Sequence, residues 1–434
     1  MKIFLYDEFT PEDTAMMQAL YSRSAASVEE HAQKVRQTGS GKFMERFYVG
    51  YGHASIADCG STTIFIEDIS ILADKAIQDW PLYSGQETST RYVDMSKQRL
   101  EDPLNSAESA TIQRRWMQFY LNSLPKVEAY FKKKYPIRDT EKESIYNKAI
   151  QARAFDSLRA FLPAGITTQL SWHTNLRQAW DKISILRHHP LVEVQNVAEK
   201  IHTLLKNKYP HSFSHPLLEE QENYRKIINN GYNYYHPAYA PADFSYTTTI
   251  NAQELAPYQD LIKNRPAKTG LPNFLSELGQ ITFNFLLDYG SFRDIQRHRN
   301  GICRMPLLTT DFGFHAWYLE QLPSDLRTEA INLIAEQKKA ITGLNASLEI
   351  KQYYIAMGFL TACRATYGLP ATLYITELRS GKAVHPTLRK IAHKMHASIM
   401  EIYPDMKMFT DLEADEWDVR RGEQDITQKT SNDN

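Results

Sequence analysis

The chain has 434 residues, room for roughly two to three domains, and its 42% hydrophobic and 23% charged residues are typical of a globular protein. Fifty basic and fifty-one acidic residues leave a formal charge of -1, which excludes a general attraction to nucleic acid or anionic lipid. The apolar runs are far shorter than the ~20 residues that span a bilayer. Cys59, Cys303 and Cys363 define neither a disulfide framework nor a paired-cysteine zinc site, so a reducing cytoplasm is the simplest location.

The N-terminal segment, residues 1–7, has the pattern of a short strand and not of a signal peptide. Glycine is scarce, at 18 residues, and no G-x-G-x-x-G is present, which argues against a dinucleotide-binding Rossmann unit. Residues 39–42, Gly-Ser-Gly-Lys, lack the spacing of a phosphate-binding loop.

Two stretches have the spacing of amphipathic helices with one core-facing side. In the first half of the chain the apolar positions are Ile112, Trp116, Phe119 and Tyr120. In the second half they are Ile331, Ile334, Ile341, Leu344 and Leu348.

The two halves share an internal pattern that predicts a duplication. Residues 197–202 and 391–396 have Ala, Lys and His at the same spacing, each is followed by Tyr-Pro, and each lies downstream of a Leu-Arg pair. Residues 63–66 and 282–285 each open a strand-like segment that precedes a helix-like one. We therefore expect two diverged copies, 1–215 and 216–434, each reading strand, helices, strand and then long helices.

Two segments lie outside this repeated pattern. Residues 232–242 are rich in Tyr, Pro and His, which predicts an irregular connector within about 216–243. Residues 416–434 form a polar tail that predicts fraying or disorder.

The densest positive cluster contains Arg293, Arg297, His298, Arg299 and Arg304. Arginine forks bind phosphates and carboxylates bidentately, so this cluster is a candidate anion site. A solvated helix end paired with acids is the alternative. A nucleic-acid surface lacks the support of a wider basic stripe or interleaved aromatic residues.

A second candidate segment is residues 84–92, Ser-Gly-Gln-Glu-Thr-Ser-Thr-Arg-Tyr, which combines hydroxyls, a carboxylate and an arginine. Such a loop can hold a phosphorylated ligand, and a capped helix start or a plain polar loop is the alternative. His393 and His396 are at i, i+3, but no third ligand is near in sequence, which favours surface or packing roles over a metal site.

Together these segments resemble the flavin-dependent thymidylate synthases, whose motif joins an Arg-His-Arg loop to a Ser…Glu-x-Ser-x-Arg-Tyr tail. The first copy keeps the tail at residues 84–92 but reads Gln-Asp-Trp-Pro, residues 78–81, at the Arg-His-Arg position. It also keeps three other family segments: Gly52-His53-Ala54-Ser55, the Arg…Leu-Pro segment from Arg159 to Pro163, and Asn175-Leu176-Arg177.

The second copy keeps the complementary set. Arg297-His298-Arg299 is intact, but residues 300–306 have lost the Glu-x-Ser-x-Arg pattern and Pro272 replaces the flavin-contacting histidine. Leu378-Arg379 resembles the family's Leu-Arg, whose arginine activates the pyrimidine. Because neighbouring subunits build each site in the family, complementary sets imply one composite and one degenerate site for each pair of copies. The alternative is decay of both copies into a non-catalytic scaffold.

The resemblance implies a role for each retained residue. The residues implied to contact FAD are His53, Ser55, Glu87, Asn175, Arg177, Arg297, His298 and Arg299. Those implied to bind the nucleotide are Glu87, Thr88, Ser89, Thr90, Arg91, Arg159, Asp294, Arg297 and Arg379. Arg379 is also the implied catalytic residue, since its charge would stabilise negative charge on the uracil ring.

One position departs from the family pattern: Asp294 stands where the family has a base-contacting Gln. An amide both donates and accepts hydrogen bonds, whereas an ionised carboxylate only accepts. This change leaves open a flavoenzyme of the same lineage that acts on another base or uses another one-carbon reaction.

The resemblance implies an α/β fold in which each copy has a mixed or antiparallel sheet flanked by long helices. The family forms homotetramers, so a tandem chain is expected to form a homodimer that mimics one. The implied reaction methylates C5 of a pyrimidine nucleotide, dUMP to dTMP most simply, with methylenetetrahydrofolate, reduced FAD as hydride source and NADPH as reductant. A non-catalytic nucleotide-binding or assembly protein is the other reading.

Overall fold

The computed structural model describes residues 8–22, 24, 26–91, 93–237 and 242–414. The predicted N-terminal strand, residues 1–7, and the predicted polar tail, residues 416–434, lie outside these residues. None of the helices formed by the described residues combines the length and the apolar character needed to cross a membrane.

The first part of the chain alternates strands with helices. Its strands are β1 (Ser61–Ser70), β2 (Ser84–Glu87) and β3 (Thr167–Asn175). Its helices are α1 (Pro11–Tyr21), α2 (Val28–Thr38), α3 (Gly41–Phe43), α4 (Ala54–Ala57), α5 (Ile71–Gln78), α6 (Ala107–Lys134), α7 (Glu143–Leu158), α8 (Leu176–Leu186) and α9 (Val192–Lys208). A π-helix spans Met44–Gly50 and a 3₁₀ turn spans Arg159–Phe161.

The second part continues the alternation. Its strands are β4 (Phe244–Thr248), β5 (Gln280–Asp288), β6 (Gly301–Cys303) and β7 (Leu360–Gly368). Its helices are α10 (Glu219–Tyr232), α11 (Ala252–Leu255), α12 (Gln259–Asn264), α13 (Tyr289–Ile295), α14 (Ala316–Glu320), α15 (Ser324–Gly343), α16 (Leu348–Lys351), α17 (Leu369–Ser380) and α18 (Pro386–Ile402). The 3₁₀ turns are Ala256–Tyr258, Asn273–Leu278 and Gln352–Tyr354.

The predicted connector is only partly irregular. Helix α10 occupies residues 219–232 of it, because an unbroken run of helix-compatible residues separates Pro216 from Gly231. Beyond the helix, Tyr235 forms an isolated bridge with Pro306, and residues 238–241 lie outside the described residues.

The chain divides into two compact units that do not follow the predicted boundary at residue 215. Of the described residues, those within 1–69, 73–87 and 168–233 form the first unit, and those within 70–72, 88–167 and 234–434 form the second. Helices α6 and α7 and the loop that follows β2 therefore belong to the second unit. The two-copy division of the sequence stays a prediction.

The sheet of the first unit has the strand order β1–β3–β2. Strand β2 pairs antiparallel with β3, from Ser84 opposite His173 to Glu87 opposite Leu170. Gly85 permits this pairing, since a Cβ there would stand 1.9 Å from the Ser171 carbonyl oxygen. Asn175 ends β3 and caps α8, where its side-chain oxygen accepts from the Gln178 N–H at 2.8 Å.

The sheet of the second unit has the order β4–β5–β7–β6 with antiparallel pairing throughout. Burial alternates along β5, as expected for a strand with one face on the core. The strand ends at Asp288, which is fully buried and caps α13 by accepting from the Ser291 N–H at 2.8 Å. The end of β5 thus fixes the helix that leads into the Arg-His-Arg segment.

The predictions for the two amphipathic stretches have different outcomes. The prediction for α6 is confirmed: Ile112, Trp116, Phe119 and Tyr120 are all buried. The predicted stripe on α15 is partly wrong, because Ile331 is 50% exposed. The buried side of α15 consists of Leu326, Ala330, Leu333, Gln337 and Ile341, and Leu348 begins α16 with its side chain half exposed.

A reciprocal set of backbone hydrogen bonds joins the segments that precede β3 and β7. The Ala164 N–H donates to the Ile355 carbonyl at 2.9 Å, and the Met357 N–H donates to the Leu162 carbonyl at 2.9 Å. Pro163 and Ala356 face each other as an antiparallel bridge at the centre. This pairing holds α7 and Arg159 of the first half within the second unit.

Candidate functional site

Arg91 lies in the loop after β2 and is held by a buried carboxylate. Its Nε and Nη2 donate to the two oxygens of Asp156 on α7, at 2.6 and 2.9 Å, and the Asp156 side chain is 1% exposed. The carbonyl of Ala383 accepts from the same guanidinium at 3.4 Å. The Ser89 hydroxyl accepts the Arg91 N–H at 3.3 Å. A bidentate pair of this kind fixes both the position and the plane of the guanidinium.

Arg159 begins the 3₁₀ turn after α7 and rests on the first turn of α13. Its Nη2 donates to the Ser291 hydroxyl at 2.8 Å, and the Tyr318 hydroxyl donates to Asp288 beside it at 2.8 Å. Burial by itself lowers the pKa of Arg159, but Tyr318, Asp156 and Asp288 together raise it above its usual value. The guanidinium is therefore a permanent buried positive charge.

Two residues at the end of α13 meet the loop of residues 88–91. Arg293 donates to the Thr90 hydroxyl at 3.1 Å and to the Thr88 carbonyl at 3.4 Å. Burial alone raises the pKa of Asp294. The nearby guanidinium groups outweigh burial and lower this pKa below its usual value. The guanidinium groups are those of Arg297, Arg159, Arg91 and Arg379. Asp294 is thus an ionised carboxylate among four arginines.

His298 and Arg379 form a direct hydrogen bond. The Arg379 Nε donates to the His298 Nε2 at 2.7 Å, and the Arg379 Nη2 donates to the backbone carbonyl of Asp294 at 2.7 Å. Burial lowers the pKa of His298, and the nearby Arg379 lowers it further, to about 3. The imidazole is therefore neutral, with its proton on Nδ1 and its Nε2 accepting from Arg379.

The other residues of the predicted positive cluster are more open. Arg297 is 43% exposed, and its Nε lies 3.9 Å from Asp294 Oδ1. Arg299 donates to the Arg297 carbonyl at 3.1 Å. Arg304 instead stacks over the Tyr235 ring at 5.1 Å, so the structure does not group it with the others.

We name the arginine cluster as Arg91, Arg159, Arg293, Arg297 and Arg379, with Asp156, Asp288 and Asp294 as its acids. All of them belong to the second unit, although the first two arginines come from the first half of the sequence. Five positive and three negative side chains leave a charge of two positive among these described residues. A phosphomonoester carries a charge of about -1.5 to -2 at neutral pH, so the arginine cluster matches such a group.

The flavin-contacting residues predicted in the first half lie in the first unit. His53 and Ser55 are exposed at the start of α4, which packs against α8. At the start of α8, Arg177 pairs with Asp58 at 2.7 Å and with Asp181 at 3.5 Å. The structure thus brings the His53–Ser55 turn, Asn175 and Arg177 to neighbouring ends of two packed helices.

Glu87 is separately engaged in the first unit. Its carboxylate lies 2.6 Å from the Lys75 Nζ and accepts from the Gln78 Nε2 at 2.6 Å. The Glu87 side chain is 3% exposed and the Lys75 side chain is fully buried. Within the first unit, therefore, this carboxylate contributes to a buried ion pair.

Sequence reasoning missed several residues that organise the arginine cluster, namely Asp156, Asp288, Ser291 and Tyr318. Asp156 precedes Arg159 by three residues, but nothing local indicates that its partner is Arg91, 65 positions earlier. A sequence signal exists only for Asp288, an Asp three residues before Ser291 at a strand-to-helix junction, which is a helix-capping pattern.

The two histidines considered for a metal have other partners. His393 Nε2 lies 2.8 Å from the Asp411 carbonyl oxygen, and His396 Nδ1 lies 3.0 Å from the Thr410 hydroxyl. These contacts hold the segment that follows α18 against that helix.

The antiparallel sheets with flanking helices and the arginine cluster define an α/β protein with a site suited to a phosphorylated ligand. Residues 5–211 match the family model described as thymidylate synthase complementing protein. This part of the chain is therefore similar to that family, which confirms the resemblance to the flavin-dependent thymidylate synthases. The family description connects this segment with thymidylate synthesis.

Similar proteins extend the comparison to the rest of the chain. The UPF0159 protein Ta1429 of Thermoplasma acidophilum is 24% identical over 91% of this chain and 94% of its own length. A UPF0159 protein of Chlamydia muridarum is 24% identical over 89% of this chain and 84% of its own. A UPF0159 protein of Chlamydia pneumoniae is 24% identical over 85% of this chain and 80% of its own length. The chain and these relatives therefore align over nearly their whole lengths.

Proposed function

We propose that the chain is a flavin-dependent thymidylate synthase-like enzyme that methylates C5 of a pyrimidine nucleotide, most simply dUMP, with methylenetetrahydrofolate as the one-carbon donor. The observation that carries the proposal is the composition of the arginine cluster. Arg91 and Arg159, implied to bind nucleotide, share the second unit with Asp294 and Arg379, which are implied to face the base. The family match supports a pyrimidine nucleotide as the ligand.

The contacts support different roles for different arginines of the arginine cluster. Arg91 and Arg159 are anchored by Asp156 and Ser291, so both guanidiniums are held in place to receive a phosphate. Arg379 donates hydrogen bonds to two uncharged acceptors, the His298 imidazole and the backbone carbonyl of Asp294. Its charge is therefore available to stabilise negative charge that develops on the pyrimidine ring.

The flavin is proposed to be FAD, which when bound supplies the hydride. In the first unit, exposed His53 and Ser55 offer an imidazole ring and a hydroxyl to a flavin. Arg177, which Asp58 and Asp181 hold in place, offers its remaining N–H donors. Arg297, His298 and Arg299 supply comparable groups in the second unit. Asn175 and Glu87 are the remaining proposed contacts, and NADPH is the proposed reductant.

We also propose that the chain arose by duplication and has one working site per pair of copies. Strands β1, β3 and β2 and strands β5, β7 and β6 occur in the same sheet order, and a long helix precedes β3 and β7 alike. In the first unit the buried Lys75 has two buried carboxylates beside it, Glu87 and Asp74, whereas the arginine cluster keeps an excess of positive charge. Equilibrium dialysis with dUMP is expected to give one nucleotide per chain, and two would contradict the single-site proposal.

The proposal is tested by recording the visible absorption spectrum with added FAD and by assaying dTMP formation. Arg379→Ala is expected to slow dTMP formation by ~100-fold or more while flavin absorption persists. Arg114→Ala, which removes an exposed arginine on α6, serves as the matched control and should retain both. Bound flavin with no nucleotide turnover would refute the methylation, and absence of flavin under every condition would refute the redox reading and favour a binding protein.

A second candidate function follows from Asp294. Its carboxylate is ionised, so it only accepts hydrogen bonds, which favours a pyrimidine that carries an amino group. Comparing dUMP with dCMP in the native chain and in Asp294→Gln decides between the two. Native preference for dCMP that reverses in the variant supports the second candidate, and preference for dUMP in both supports the first.

A further inference from the structure

Helix α10 turns its polar side toward the protein and its apolar side toward solvent. On the inner side, Glu222 lies 2.7 Å from the His188 Nε2, and the Asn229 side chain donates to the Ile185 carbonyl at 3.4 Å. Asn233, at the helix end, lies 3.1 Å from the His189 Nε2. These polar contacts attach α10 to the region of α8 within the first unit.

The outer side carries large apolar side chains that the chain leaves exposed. We define the α10 face as Leu217 (57% exposed), Leu218 (51%), Tyr224 (65%), Ile227 (63%), Ile228 (41%) and Tyr232 (70%). The four helical members fall within a sector of about 140° at 3.6 residues per turn. A surface helix of a monomer normally buries its apolar stripe, so folding of this chain alone does not account for the arrangement.

The area of the α10 face matches one side of a protein interface. Six large side chains with these exposures amount to roughly 600–700 Å² of accessible surface, close to the ~800 Å² that each partner contributes to a standard-size interface. A membrane is a poor occupant, because α10 has Glu219, Glu220 and Glu222 against only Arg225 and Lys226, and an anionic surface would repel it.

We propose that the α10 face is the docking surface for a second copy of this chain, with the two α10 helices paired antiparallel. A twofold interface uses the same patch on both subunits. The α10 face has apolar side chains just before the helix, at Leu217 and Leu218, and again from Tyr224 to Tyr232, so two antiparallel copies can place one group against the other. The antiparallel direction places the acidic first turn of one helix beside the last turn of the other, which has no acidic residue. A parallel pair would instead bring the two acidic turns together.

The test is sedimentation velocity on the full chain over a range of concentrations, with two matched variants. Ile227→Glu places a carboxylate at the centre of the α10 face and is expected to raise the dimer dissociation constant by ~100-fold or more. Leu204→Glu changes a residue of α9 in the same unit that is 66% exposed, and it is expected to leave the dimer intact. Both sites are exposed, so far-ultraviolet circular dichroism should match that of the native chain.

Three results would overturn the proposal. They are a native chain that stays monomeric at every concentration, a dimer that Ile227→Glu leaves unchanged, and vesicle binding by a monomer that Ile227→Glu abolishes. Chemical cross-linking tests the interface independently. A short bismaleimide should link Ile228→Cys between chains, and it should not link Leu204→Cys. None of these outcomes depends on flavin binding or turnover, so failure of the proposed function leaves this inference standing.

Discussion

Replacing His298 with glutamine should reduce the amount by which the free energy of unfolding falls at mildly acidic pH. Burial and the neighbouring Arg379 lower the pKa of His298 from 6.5 to about 3 in the folded chain. The unfolded chain therefore takes up a proton near pH 6.5, which the folded chain does not. The contribution of the neutral His298 to the free energy of unfolding is fully present above pH 6.5 and is lost as the pH falls toward 3. At pH 5 the loss is about 2 kcal/mol, from ~1.5 pH units at ~1.4 kcal/mol each.

Urea unfolding at pH 7.5 and pH 5 measures the difference. Glutamine does not titrate, and its side-chain oxygen can accept from Arg379 as the His298 Nε2 does, so the variant should lose ~2 kcal/mol less than the native chain between these pH values. His211→Gln, at a side chain that is 41% exposed, is the control and should behave as the native chain does. Equal losses in the native chain and in His298→Gln, or an imidazole NMR signal of His298 that titrates near pH 6.5, would refute the reasoning.

Three further substitutions test other contacts. Asp156→Asn should lower the free energy of unfolding by roughly 3 kcal/mol, because Arg91 loses its buried counter-charge; a change below ~0.5 kcal/mol in urea unfolding would contradict this. Gly85→Ala should cost at least ~2 kcal/mol and speed amide exchange in β2, because its Cβ would collide with the Ser171 carbonyl; an unchanged melting temperature and exchange rate would count against the register. Arg379→Ala should reduce kcat by ~100-fold or more with a smaller change in KM for the nucleotide, and a loss confined to KM would assign Arg379 to ground-state binding alone.

Much of the secondary structure could be predicted because local pattern decides it. The strand openings at residues 63–66 and 282–285 are confirmed as parts of β1 and β5, and each strand is followed at once by a helix. The α6 stripe was equally clear, since large apolar side chains at helical spacing leave a single buried side. The compact units could not be predicted in the same way, because α6 and α7 join the second unit through contacts such as the hydrogen bond from Trp116 Nε1 to the Tyr354 carbonyl at 2.9 Å.

The error on α15 has a specific physical cause. The prediction followed the isoleucines, whereas the buried side includes Ala330 and Gln337, which a search for large apolar residues overlooks. Gln337 is fully buried because its Nε2 donates to the Ile112 carbonyl on α6 at 2.7 Å. This hydrogen bond joins the two helices through a buried amide, and sequence periodicity alone does not reveal it.

The arginine cluster shows why a motif indicates a site's residues more readily than their partners. Arg91 and Arg379 stand out in sequence because their segments resemble family motifs, but the side chains that position them, Asp156 and the neutral His298, lie 65 and 81 positions away. Two charged residues of one sequence segment can differ in their availability to a ligand when their partners in the fold differ. Glu87, in the same short segment as Arg91, is 3% exposed and lies in a buried ion cluster with Lys75 and Asp74, so its carboxylate is engaged within the first unit. Whether a charged residue of the motif is available to a ligand therefore depends on long-range packing, which the motif does not encode.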